Sequence, residues 1–87
     1  TLVSVFESQF NDVLVYPNPA STQLTVDAGS NWNSVSALEL YDLSGRRIWC
    51  ERVNARTTLV NLSNFSEGIY ILKLKGTAVR KKIVVRK

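Results

Sequence analysis

Apolar residues recur along this chain in short alternating runs, separated by clusters of Gly, Pro, Asn, Asp and Ser. Alternation with a period of two marks half-buried strands, because successive side chains on a strand point to opposite faces. The runs are Leu2–Phe6 (the weakest), Val13–Tyr16, Gln23–Asp27, Ser36–Tyr41, Arg47–Val53, Thr57–Leu62, Ile69–Lys75 and Ala78–Val85. No stretch keeps apolar residues at i, i+3, i+4 and i+7 for three turns, so no long helix is expected. Val, Ile, Thr, Tyr, Phe and Trp supply 29 of the 87 residues, and these are the residues that pack well on a pleated sheet. An all-β antiparallel sandwich of seven to eight strands follows, with residues 13–87 as the domain and residues 1–12 as a linker or weak first strand. The expected flexible spots are the first dozen residues and Ala28–Val35, where Gly29, Ser30, Asn31, Asn33 and Ser34 surround Trp32.

Three breaks in the pattern carry most of the information. In Tyr16-Pro17-Asn18-Pro19 each proline fixes its own φ and pushes the residue before it into the extended region. Two N–H donors are lost, which suits a strand end or an edge crossing. Asp42-Leu43-Ser44-Gly45 separates two apolar runs and predicts a type I turn with a glycine bulge, Asp42 accepting from the backbone ahead and Gly45 taking positive φ. A calcium loop would need oxygen ligands at alternating positions and a distal Glu, which are missing. The third break, Leu62 to Tyr70, ends in Gly68-Ile69-Tyr70 and predicts a tyrosine corner, in which the phenol bonds back to the backbone a few residues upstream. Leu72 and Leu74 continue the face of Tyr70, Lys73 and Lys75 take the other, and Gly76-Thr77 suits a two-residue turn into the last run.

Composition narrows the chemistry. The chain has no His, so neither a Ser-His-Asp nor a Cys-His arrangement nor a His-ligated metal site can be built. A single Cys, Cys50, excludes an intrachain disulfide and reads as a small buried hydrophobe. No catalytic residue and no cofactor is expected. No run reaches the ~18 apolar residues of a membrane-spanning helix. Thr1-Leu2-Val3-Ser4 carries no export-signal pattern, and the chain reads as a piece of something longer.

The net charge of +4 is unevenly distributed. Residues 1–67 hold four Arg and all seven acids, a net −3, whereas residues 68–87 hold seven cations and no acid, a net +7. On the last run Val79, Ile83 and Val85 share one face and Arg80, Lys82, Val84 and Arg86 the other. Lys81 falls on the apolar face, either snorkelling from an edge or marking a bulge. A solvated edge strand defended by cations explains the charge as well as a binding surface does. Nucleic acid is not the expected partner, because few aromatics interleave with these cations. If Ile48 and Cys50 face the core, Trp49 and Tyr41 lie outward, as a sugar platform or as a cross-strand pair with Arg47 beside it. Asn61-Leu62-Ser63 and Asn64-Phe65-Ser66 match a glycosylation sequon by chance, with Leu62 and Phe65 directed to the core.

Four segments, in this order and at this spacing, are together similar to the type A C-terminal sorting domains of cargo exported by the type IX secretion system of Bacteroidetes. They are Val15-Tyr16-Pro17-Asn18-Pro19-Ala20, Leu40-Tyr41-Asp42-Leu43-Ser44-Gly45-Arg46, Gly68-Ile69-Tyr70-Ile71-Leu72-Lys73-Leu74 and Lys81-Lys82-Ile83-Val84-Val85-Arg86-Lys87. The resemblance covers residues 13–87. It implies an Ig-like, Greek-key β-sandwich that is read by an outer-membrane translocon and removed by a sortase-like protease at the cell surface. The cargo would be secreted or surface-attached. Arg80, Lys81, Lys82, Ile83, Val84, Val85, Arg86 and Lys87 are the expected recognition residues, by strand addition or through their charge. The competing reading is an accessory Ig/fibronectin-like module for carbohydrate binding or adhesion, with Trp32, Trp49 and Tyr41 as its only aromatic platform. Nothing in the pattern fixes an oligomeric state.

Overall fold

A computed structural model describes residues 13–87, so the Leu2–Phe6 run and the reading of residues 1–12 lie outside the described residues. The strands are β1 (Leu14–Tyr16), β2 (Gln23–Asp27), β3 (Ala37–Tyr41), β4 (Arg47–Arg52), β5 (Thr57–Asn61), β6 (Gly68–Lys75) and β7 (Arg80–Val85). They form a three-stranded sheet, β1-β2-β5, and a four-stranded sheet, β4-β3-β6-β7. Every strand pairing is antiparallel. The chain changes sheet between β2 and β3, between β4 and β5 and between β5 and β6, which makes the two sheets a Greek-key sandwich.

Period-two alternation places the core between the sheets. Leu24, Val26 and Val60 from the small sheet meet Leu38, Leu40, Leu72, Leu74, Ile83 and Val85 from the large one, each at most 1% exposed. Full burial of each such side chain contributes about 1.5–3 kcal/mol relative to exposure. At the β5–β6 corner the Tyr70 hydroxyl donates to the Ser66 carbonyl at 2.6 Å. The Phe65 ring meets Tyr70 edge-on, with centroids 5.6 Å apart. The tyrosine corner expected from Gly68-Ile69-Tyr70 is therefore present. Leu62 is buried and Phe65 packs partly buried against the core.

The β3–β4 hairpin has the predicted turn but not the predicted faces. Gly45 N donates to Asp42 O, Asp42 N donates to Arg46 O, and Gly45 takes φ +91°, a type I turn closed by a glycine bulge. One pair further on, the register slips: Tyr41 sits opposite Arg47 but Leu40 sits opposite Trp49. Ile48 is the extra residue of a second bulge, and the alternation resets behind it. Trp49 thus turns inward and packs against the core, whereas Ile48 and Cys50 are exposed. The expectation that Ile48 and Cys50 face the core is overturned. With Trp49 and Trp32 both packed on the core, these two and Tyr41 do not make the aromatic platform considered from the sequence.

Two loops also differ from expectation. The β6–β7 connection begins its turn one residue earlier than a Gly76-Thr77 turn would: Thr77 N donates to Leu74 O, and Leu74 N donates to Val79 O. The Thr77 hydroxyl closes the rest of this loop, donating to Leu74 O and accepting from Val79 N. Between Ala28 and Val35 the chain is a hydrogen-bonded 3₁₀ turn (Trp32–Ser34), anchored by Ala28 and Val35, each 2% exposed. Trp32 packing supplies the order that the local polar composition hides.

Candidate recognition surface

The outer strand of the large sheet separates its residues by face. Ile83 and Val85 point into the core, and Lys81 lies half-buried on that same face opposite Leu72. The β6–β7 register is continuous from Gly68–Val85 to Lys73–Arg80, so no bulge accounts for Lys81; it emerges from the core at the sheet's edge. Arg80, Lys82 and Arg86 are exposed on the outer face, with Val84 half-buried among them.

Cross-strand pairing extends that face over the whole large sheet. One row runs Arg80, Lys73, Glu39, Cys50; the next runs Lys82, Ile71, Tyr41, Arg47; Lys75, Ala37 and Arg52 form a third. Neighbouring strands lie about 4.8 Å apart, so this is a closely spaced array of cations around one acid. Glu39 is only 4% exposed, and Arg47 Nη1 donates to its Oε2 at 2.9 Å. That hydrogen bond holds the Glu39 carboxyl below its ordinary value, against the opposing effect of burial. It also raises Arg47 further above neutrality. Among the described residues the ion pairs are Arg46–Asp42, Arg47–Glu39 and Arg56–Asp27, and none engages Lys73, Lys75, Arg80, Lys82 or Arg86.

The free edge of β7 is partly closed. Tyr16, 49% exposed, and Pro17 lead into a crossing from the small sheet to the last strand. There Asn18 Nδ2 donates to Lys82 O at 2.9 Å and Asn18 Oδ1 accepts from Val84 N at 3.0 Å. Past Pro19, Ala20 N donates to Val84 O and Ala20 O accepts from Arg86 N, a parallel bridge between Ala20 and Val85. Asn18 therefore acts as a side-chain surrogate for a peptide unit. Lys87 is also engaged: its N donates to Glu67 Oε1, and its Nζ donates to Leu62 O and Ser63 O across the β5–β6 corner.

Asp42 holds the tip of the neighbouring hairpin. Its Oδ1 accepts from Ser44 N, Ser44 Oγ and Arg46 N, and its Oδ2 from Arg46 Nε. These bonds, led by the Ser44 hydroxyl, hold the carboxyl below its ordinary value. The expected site residues thus divide into three outward cations, two core residues, a half-buried Val84, an edge-emerging Lys81 and a corner-closing Lys87. Sequence reasoning passed over Glu39, and it singled out Asn18 only as part of the Tyr16–Pro19 motif, not for its bonds to the last strand. A lone acid inside Ala37-Leu38-Glu39-Leu40 is a signal for a buried pair, whereas Asn18 is masked by the prolines on either side of it.

No curated protein matches the chain. The family model for a secretion system C-terminal sorting domain matches residues 14–86, from the first residue of β1 to the residue after β7. Among the described residues no helix is long and apolar enough to cross a membrane. The family is not an enzymatic one, and its members are read by the type IX secretion machinery. The chain belongs to this family: it is a type IX C-terminal sorting signal, of the kind that sends Bacteroidetes proteins through the outer membrane to the cell surface or beyond.

Proposed function

We propose that residues 13–87 act as one recognition unit with no catalytic step of their own, and that the secretion machinery reads the terminal strand through Arg80, Lys82 and Arg86. The partners are the outer-membrane translocon and then the sortase-like protease that removes the domain. One observation carries the choice of mode. The backbone edge of β7 from Lys82 O to Arg86 N is already bonded to Asn18 and Ala20, whereas the three cations beside it have no ion-pair partner among the described residues. Strand addition needs a free edge. A charged face needs only a complementary acidic surface, which steers encounter and fades with salt.

The test is a reporter with an inner-membrane export signal and this chain at its C-terminus, in a type IX-competent host. The parent reporter reaches the cell surface. With Arg80→Glu, Lys82→Glu and Arg86→Glu together it stays in the periplasm, the soluble domain keeping its melting temperature within a few degrees. Normal export of the folded triple variant would refute reading by charge. Normal export of a folded chain lacking Lys81–Lys87 would remove the terminal strand from the site altogether.

A further inference from the structure

Beside the β3–β4 turn the outer face of the large sheet sinks into a shallow groove of ≈ 340 Å³, lined by Tyr41, Asp42, Leu43, Gly45, Ile71, Lys73 and Arg80, the Asp42 carboxylate being held in the turn by Ser44 and Arg46. Tyr41 and Ile71 are cross-strand partners on its floor. Lys73 and Arg80 are partners along one side, and neither makes an ion pair among the described residues. Leu43 stands over the groove and is 70% exposed, the most of any large hydrophobic residue described. Such a side chain on a loose loop would lose entropy on binding. Here the turn beneath it is fixed by Asp42, which bonds Ser44 and Arg46 through both backbone and side chain. Leu43 is thus a preorganised apolar anchor.

We infer that this groove docks an extended acidic peptide segment bearing one apolar or aromatic side chain. The apolar side chain enters between Leu43, Tyr41 and Ile71. Carboxylates beside it meet Lys73 and Arg80, with Lys82 in the adjacent row. Charge complementarity selects the partner's sign, and the layout selects its class. A phosphate site gathers backbone N–H groups and cations around one point. These cations instead flank an apolar floor, a layout that matches a chain whose acidic and apolar side chains alternate. The inference goes beyond the terminal-strand reading, because it puts Leu43, on a different hairpin, at the centre of an interface.

The 87-residue chain is titrated at low salt with two fluorescein-labelled peptides, Glu-Asp-Phe-Glu-Asp and Glu-Asp-Ser-Glu-Asp, followed by anisotropy and by backbone amide shifts. The Phe peptide should bind about tenfold more tightly, the effect of one well-buried anchor. Its shifts should centre on Leu43, Ile71, Lys73 and Arg80. Leu43→Ser should erase the difference between the peptides without lowering the melting temperature, since that side chain is solvent-exposed. Lys73→Glu with Arg80→Glu should abolish binding of both. Equal affinity for the two peptides, no binding of either, or shifts centred elsewhere would each overturn the inference. So would tighter binding of a single-stranded polynucleotide or of phosphatidylglycerol vesicles, which would mark the face as a phosphate reader. Because the readout is binding by the isolated chain, its failure is separate from any failure of the export test.

Discussion

Tyr70 shows how far one residue could be read in advance. Its role followed from Gly68-Ile69-Tyr70 at a strand start, and the phenol does donate to Ser66 O. Tyr70→Phe should lower stability by about 1 kcal/mol, the net worth of one hydrogen bond, seen as a lower denaturant midpoint with an unchanged slope. Asp42 and Gly45 were equally legible, because a turn motif is local chemistry. Cys50 and Trp49 were not. Their orientation depends on the extra residue at Ile48, and alternation in the sequence runs straight through a bulge. Glu39 escaped notice for a related reason: its burial depends on Arg47, a partner from the adjacent strand.

At the scale of elements, the strands were legible to within a residue or two at most ends, since β2, β6 and β7 alternate buried and more exposed positions. The loops were less so, because their geometry is set by what they touch. Gly76 illustrates this. It takes φ +97°, and a Cβ there would lie 2.6 Å from the carbonyl oxygen of Ser34, backbone that cannot swing away. Gly45 also takes positive φ, but a Cβ there meets nothing within 4 Å. Gly45→Ala should therefore cost only the left-handed backbone penalty, about 1–2 kcal/mol. Gly76→Ala should cost clearly more, because the loop must also separate from the 3₁₀ turn. Thermal melts of the two variants side by side check this; equal losses would mean that the close approach does not constrain the loop.

The whole molecule combines a small apolar core with a strongly basic outer face, and its response to acid follows from two carboxylates. Glu39 and Asp42 both have folded-state values below their ordinary 4.5 and 3.8. Their contribution to stability is present above those ordinary values and is lost as pH falls through the lowered ones. Denaturant midpoints should accordingly hold from neutral pH down to about 5 and decline below about 4.5; in Glu39→Gln the decline should be shallower. The charge division along the chain was legible in the sequence, but its gathering onto one face required the pairing of β3, β4, β6 and β7. The crossing through Asn18 and Ala20 has a mechanical consequence. It fastens the chain just after the first described strand to the last strand, and it does so in parallel. In a parallel contact the incoming and outgoing ends lie at opposite ends of the seam. A pull between the chain upstream and the C-terminus would load the Asn18 and Ala20 bonds together in shear rather than peel them one at a time. Asn18→Ala should then lower the unfolding force in a single-molecule pull between the two ends, because it removes two of the four bonds in that seam. The domain would resist traction along its own length, the direction in which a chain is drawn through a pore.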